Sequence, residues 1–312
     1  MKKITLVYRL MALLMFIQAI SFSMASAQNI NYTINYNDPY DIRKAKGVLL
    51  LGLENIVTPT IGAMGQYHLG KIATFDAQYR RSFAYLIPID ETKQIGTNTR
   101  GATSIFEATA TYHIFDKLVD RKLMINLKTE HYGNTTHTEF IKVPIKSRKI
   151  FGARGGVFLY HAPVSANPNT VTFHSKNDTT SFRDNATVMA TSTGVFFGLS
   201  TGRIDKAGIA ASGYGNRRRN RQRTIYADVF LGGTAMQDLQ LKNGTAVPIT
   251  ATKSAIGWRV GGQWMDNGTY VKMEFGKRPF VGSGAMLNFI FGFVLYGNEK
   301  KLNKMHLAED KK

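Results

Sequence analysis

In the stretch 254–280, apolar and polar residues alternate on either side of one short turn. Asn267-Gly268 sits between two alternating runs, a strong hairpin signal because a type I′ turn needs positive φ at both central residues. Pairing the runs around that turn sets Trp264 opposite Val271, Gly262 opposite Met273 and Val260 opposite Phe275 on one face. The other face then carries Gln263 opposite Lys272, Gly261 opposite Glu274 and Arg259 opposite Gly276. A slip of one residue would mix the two sets, so the register is well specified.

The same alternation recurs along the chain. Strand-like segments fit 46–54, 60–68, 72–87, 102–115, 123–130, 138–145, 149–160, 188–200 and 224–234, then the hairpin and 286–296. In the third, Ala73, Phe75, Ala77 and Tyr79 oppose Thr74, Asp76, Gln78 and Arg80; in the last, Leu287, Phe289, Phe291, Phe293 and Leu295 share a face. Helical periodicity is nearly absent. A soluble sandwich alternates too, but aromatics near segment ends and frequent Gly and Ala favour tilted, curved strands closed into a barrel. The expectation is an all-β, closed antiparallel transmembrane β-barrel of about 12 strands, within a range of about 10–14. Closure is required if the apolar faces meet lipid, where an unpaired backbone group costs several kcal/mol. Arg81 and Lys142 fall on that face and belong near an interface.

With both ends on one side, the turns at 69–70, 116–121, 147–148 and 266–268 are short and share that side. The connections 88–98, 161–187 and 236–252 are long and lie on the other, the expected periplasmic and external asymmetry. The connection 202–223 breaks the rule: it is long, yet falls on the short side.

Composition supplies the compartment. Lys2, Lys3 and Arg9, an apolar run from Leu10 to Ile20 and the small-x-small site Ala25-Ser26-Ala27 make residues 1–27 a signal peptide. Residues 28–45 form a periplasmic lead-in, 46–297 the barrel and 298–312 a charged periplasmic tail. There is no cysteine, so neither a disulfide framework nor a lipidated N-terminal cysteine is available. Three of the chain's +19 net charges sit in the leader, which leaves +16. That excess favours anionic lipid or an anionic envelope partner; export disfavours nucleic acid.

The junction Ala25-Ser26-Ala27-Gln28 and the aromatic strands that follow resemble exported outer-membrane barrels of Bacteroidota, in style over nearly the whole mature chain. The resemblance implies an outer-membrane location and insertion by the barrel assembly machinery, which reads a C-terminal aromatic strand. Phe289, Phe291, Phe293 and Tyr296 match that signal, although the chain continues to Lys312.

The candidate site is the ionic face. Asp76, Arg80, Glu107, Lys128, Glu130, Asp228, Arg259, Lys272 and Glu274 are expected to line the lumen, as a selective narrow pore for small polar solutes or ions, or as pairs that fill it. Arg259 lies diagonal to Glu274, within reach of long side chains. Arg217, Arg218, Arg219, Arg221 and Arg223 form the second candidate, a loop suited to phosphate or carboxylate, set against a purely solvated loop. The porin-like pore is the first functional expectation and a structural or interaction barrel the alternative. An outer-membrane hydrolase is weaker. His131, His137, His161, His174, Ser165, Ser175 and Asp178 are present, but no zinc or nucleophile-elbow motif accompanies them. No enzyme, cofactor or metal is expected.

Overall fold

The structure, a computed structural model, describes residues 30–295 apart from 43, 56–57, 84–102, 133–134, 166–172, 176–180, 183–186, 238, 241–245, 248, 251–252 and 282–283. The leader, the tail with Tyr296, Asp178 and the whole 88–98 loop lie outside the described residues. In chain order the strands are β1 (Tyr32–Tyr36), β2 (Ala45–Glu54), β3 (Thr58–Leu69), β4 (Ala73–Ser82), β5 (Ser104–Tyr132) and β6 (Thr135–Ser165). Then come β7 (Phe173–Ser175), β8 (Ser181–Phe182), β9 (Thr187–Ala211), β10 (Gly215–Met236), β11 (Leu239–Gln240), β12 (Ala246–Val247) and β13 (Ile249–Thr250). The last three are β14 (Ile256–Asp266), β15 (Thr269–Lys277) and β16 (Ala285–Leu295).

Ten of these close a barrel in the order β2-β3-β4-β5-β6-β9-β10-β14-β15-β16, with β16 pairing back onto β2. Every pairing is antiparallel, and β1 lies outside the ring on the edge of β9. The β14–β15 hairpin keeps the register expected from alternation, from Arg259↔Gly276 to Asp266↔Thr269. Its turn has φ of 47° at Asn267 and 100° at Gly268, the left-handed values that make Asn-Gly the natural pair there.

The apolar parity faces out. Leu51, Phe75, Phe106, Phe197, Val229, Trp258, Val260 and Phe275 are exposed, whereas Gln78, Glu107, Asp228, Arg259 and Glu274 are buried in the lumen.

Two expected turns do not exist, which lowers the strand count from about twelve to ten. Residues 116–121 and 147–148 lie inside β5 and β6, where Asp116↔Ile150 and Val119↔Ser147 continue one ladder from Ser104 to Tyr132. Charged runs suggest turns, but these charges have partners that hold them in the ladder: Arg148 donates to Asp116 at 2.7–3.0 Å and Arg121 reaches Asp205 at 3.3 Å. Residues 202–223 are likewise no loop. They are the paired ends of β9 and β10, joined by a turn at 212–214 with positive φ at Gly213 and Gly215.

Four strands therefore overrun the barrel at the terminus end, where β2 begins and β16 closes. Pairing of β5 with β4 stops at Tyr112↔Ala73, of β10 with β14 at Arg221↔Asp266, and of β6 with β9 at Ser147↔Asp205. Beyond these points the β5–β6 hairpin packs against β9, β10 and β1 as a lobe. Its core joins Leu123, Ile125, Leu127, Val143 and Ile145 to Ala207, Ile209 and Ala211, with Tyr32 packed against them. On β6 and β9 these core positions continue the parity that faces outward in the barrel. The lobe thus buries the face that the wall exposes.

Candidate functional site

Arg259 is the centre of the lumen. Its side chain has 0% exposure, and three strands supply its counter-charges. Nη1 lies 2.6 Å from Glu107 Oε1 on β5 and 2.8 Å from Glu274 Oε1 on β15; Nη2 lies 2.7 Å from Asp228 Oδ2 on β10, which also accepts from Nε at 3.0 Å. The guanidinium carbon sits 4.9 Å from the ring centres of Phe196 and Phe230. Around this core, Arg154 Nε reaches Asp228 Oδ1 at 3.1 Å, Lys272 Nζ lies 2.9 Å from Glu274, and the Tyr226 hydroxyl donates to Glu274 at 2.8 Å. Asn288 and Gln78 donate to the remaining oxygens of Glu274 and Glu107. A buried charge is tolerable only with such saturation, because desolvating an ion costs several kcal/mol.

Small wall residues make room for these groups. A Cβ on Gly156 would lie 2.5 Å from the Phe196 ring, and one on Gly261 would lie 2.6 Å from the Tyr226 ring. Phe158, Phe196, Phe230 and Met286 pack as an apolar layer over the ionic centre.

Both flanks are filled as well. Toward the end with the long connections, Glu54 sits between Arg80, at 3.3 Å, and Arg278, whose guanidinium stacks 4.4 Å from the Tyr160 ring. Toward the terminus end, Lys46 donates to Gln222 at 3.0 Å and Gln66 to Asp76 at 2.8 Å. A chain of contacts runs from Gln66 through His68 and Thr74 to His113. A polar cavity of about 30 Å³ remains between these groups and Arg154, room for one or two water molecules.

Of the expected lumen residues, Arg80, Glu107, Asp228, Arg259, Lys272 and Glu274 are buried inward, Asp76 is half-buried against inward Gln66, and the Arg259–Glu274 diagonal contact forms. Lys128 and Glu130 do not. They lie on the lobe portion of β5 and pair with each other, because β5 runs past the last rung it shares with β4. Lys46, Glu54, Arg154 and Arg278 complete the charged lumen and lie outside the set expected from the sequence. Arg154 carried a usable signal, since it sits between Gly152 and Gly156 on the inward parity of β6. Carboxylates Glu54, Asp76, Glu107, Asp228 and Glu274 stand against Lys46, Arg80, Arg154, Arg259, Lys272 and Arg278, so the interior is nearly neutral, not a ring of one sign.

The arginine tract lies on β10 instead of a loop, and two of its members are structural. Arg217 Nε donates to the Leu127 carbonyl at 2.8 Å and Arg219 Nη1 to the Met124 carbonyl at 2.6 Å. Both carbonyls belong to the part of β5 that has run past β4. Arg219 also binds Asp266 at 2.6 Å, and Arg221 lies 3.9 Å from the same carboxylate. Arg218 is exposed, and Arg223 is half-buried with its Nε unpartnered. Beside the lobe, burial and a hydrogen bond to Asp41 raise the Tyr36 phenol above its ordinary value, and Glu139 accepting from Tyr214 at 2.6 Å raises that one.

Two of the histidines singled out in the sequence, His131 and His161, lie far apart. His131 binds Thr136 at the tip of the lobe, while His161 binds Thr191 at the opposite end of the barrel. Among the described residues no group of histidine and carboxylate side chains is spaced to hold a metal. Comparison with protein-family models, curated proteins and solved structures finds no match for this chain.

Proposed function

We propose that this chain is an exported outer-membrane barrel that works as a closed interaction barrel, anchoring a basic β lobe on the periplasmic side and displaying long connections outside. The membrane reading is supported by the belt of exposed apolar side chains around a closed wall, a surface that water disfavours and hydrocarbon accepts. Orientation follows from asymmetry. The strand ends joined through 70–72, 133–134, 212–214 and 267–268 lie at the same end as the start of β2 and the close of β16, while those joined through 83–103, 166–186 and 237–255 lie at the other.

The observation that carries the closed reading is Arg259, held by Glu107, Asp228 and Glu274 with no exposure at mid-lumen. Ten strands lie between the eight of filled barrels and the sixteen of channel-forming ones, so contents and not strand number set permeability. A narrow pore would need this saturated network to open. The exposed lobe cations, Lys122, Lys142 and Arg218, suit an anionic envelope partner.

The test is the full chain refolded in vesicles and planar bilayers. Compact, heat-modifiable gel mobility with a silent bilayer is expected. Discrete conductance steps from the folded protein would replace this reading with the narrow passive pore. Absence of heat-modifiable mobility would remove the membrane barrel altogether.

A further inference from the structure

Four cations lie side by side on the outward face where the barrel wall becomes the lobe. Lys117 on β5 is directly opposite Lys149 on β6, Lys149 is opposite Arg203 on β9, and Arg203 is opposite Arg223 on β10. Strands in a sheet are spaced about 4.8 Å apart, so the row spans roughly 15 Å. Like charges directly opposite destabilise a sheet, and here three such contacts occur in succession. Among the described residues none of the four enters an ion pair. The nearest acids are engaged elsewhere: Asp205 by Ser147 at 2.5 Å and Arg121 at 3.3 Å, and Asp266 by Arg219 at 2.6 Å. Arg223 Nε is buried without a partner.

The position of the row is as specific as its charge. The next outward rung toward the barrel is Phe115, Phe151, Thr201 and Ile225, with the two phenyl rings 6.1 Å apart. Phe115 is 64% exposed and Ile225 54% exposed, so this rung is the margin of the apolar belt. Trp264 on β14 ends the cationic row, opposite Arg223. Apolar belt, tryptophan and cations within one rung is the order in which a leaflet presents hydrocarbon, interface and phosphate. On β6 and β9 the lobe core continues the parity of the row, so the row lies between the belt and the lobe core.

We propose that Lys117, Lys149, Arg203 and Arg223 bind the phosphate of an anionic phospholipid headgroup in the leaflet next to the terminus end of the barrel. This rests on the membrane reading above. The headgroup phosphate supplies the negative charge that the row lacks, and the guanidinium groups of Arg203 and Arg223 offer it bidentate donors. Inorganic phosphate shares that chemistry without the acyl chains that would lie along Phe115, Phe151 and Ile225.

The experiment is native mass spectrometry of the full chain in non-ionic detergent, titrated separately with phosphatidylglycerol, phosphatidylcholine and inorganic phosphate. The wild type is expected to retain phosphatidylglycerol in preference to the other two. The quadruple variant Lys117→Gln/Lys149→Gln/Arg203→Gln/Arg223→Gln is expected to bind it at least tenfold more weakly. Arg81→Gln, which removes an outward cation at the far end of β4, is expected to leave binding unchanged. Because Arg203 and Arg223 are half-buried, Lys117→Gln/Lys149→Gln is measured alongside; both lysines are exposed, and a severalfold loss is expected. Unchanged retention by either multiple variant, with heat-modifiable mobility intact, overturns the site. Retention of inorganic phosphate but not of phosphatidylglycerol overturns the lipid assignment. A wild type that lacks heat-modifiable mobility overturns the membrane reading instead, a failure visible before any lipid is added.

Discussion

Arg259 Nη1 and Glu107 Oε1 lie 2.6 Å apart, although 152 positions separate the two residues in the chain and their strands stand on opposite walls of the lumen. The contact is a cross-brace: it ties β14 to β5 through the barrel interior, independently of the ladder hydrogen bonds around the wall. Asp228 and Glu274, on the strands that flank β14, complete the guanidinium's set of acceptors. The brace exists only in the closed ring.

Replacing Arg259 by Met is expected to cost about 3–5 kcal/mol, because it leaves carboxylates desolvated without their cation. Glu107→Gln is expected to cost less, since Asp228 and Glu274 still hold the guanidinium. Urea midpoints of the barrel refolded in vesicles measure both. Equal losses would show that Glu107 carries as much of the network as Arg259 does.

Arg217→Ser combined with Arg219→Ser is expected to loosen the lobe and spare the barrel. Each hydrogen bond from a charged donor is worth about 1.5–3 kcal/mol, so amide exchange in the β5 segment around Met124 and Leu127 should accelerate by about a hundredfold or more. Heat-modifiable mobility should persist. Unchanged exchange would mean that the Leu123–Ile145 core alone holds the lobe closed.

Gly156→Ala and Gly65→Ala make a matched pair in the wall. At Gly156 the added methyl would lie 2.2 Å from the Ala108 carbonyl and 2.5 Å from Phe196, so a loss of about 1–3 kcal/mol is expected. At Gly65 nothing lies within 4 Å, and the change should stay within about 0.5 kcal/mol. Thermal unfolding in detergent separates them; equal midpoints would contradict the packing of Phe196 against the wall.

The Tyr36 phenol predicts a pH response at the base of β1. Its folded pKa is raised, first by burial and then by Asp41, so its contribution is complete below the ordinary tyrosine value of about 10 and is lost only as pH rises through the higher folded value. Ultraviolet titration should show Tyr36 among the phenols that ionise after the ordinary ones, and Tyr36→Phe should reduce that late step by one phenol. Ionisation of Tyr36 together with the bulk phenols would dissolve the proposed contact with Asp41.

Much of the architecture was legible because alternation with a period of two is a property of neighbouring residues. Asn267-Gly268 specified a turn, the parity of Val260, Gly262 and Trp264 specified a register, and both formed as expected. Inward charges such as Glu107, Asp228, Arg259 and Glu274 followed from the same parity. Strand ends were harder. Asp116, Lys117 and Arg148 have the composition of turns, and only the contacts made in the folded chain, Arg148 with Asp116 among them, keep them in long ladders.

By itself, then, the order of residues determined an all-β chain with one oily and one ionic face per strand, since that depends on spacing alone. Tertiary structure decided the rest: ten strands in place of about twelve, which carboxylates share Arg259, why Lys128 and Glu130 leave the lumen, and how Lys117, Lys149, Arg203 and Arg223 come to stand in one row. These depend on which strands become neighbours when the sheet closes. No local pattern encodes that choice, because the paired residues lie tens to hundreds of positions apart.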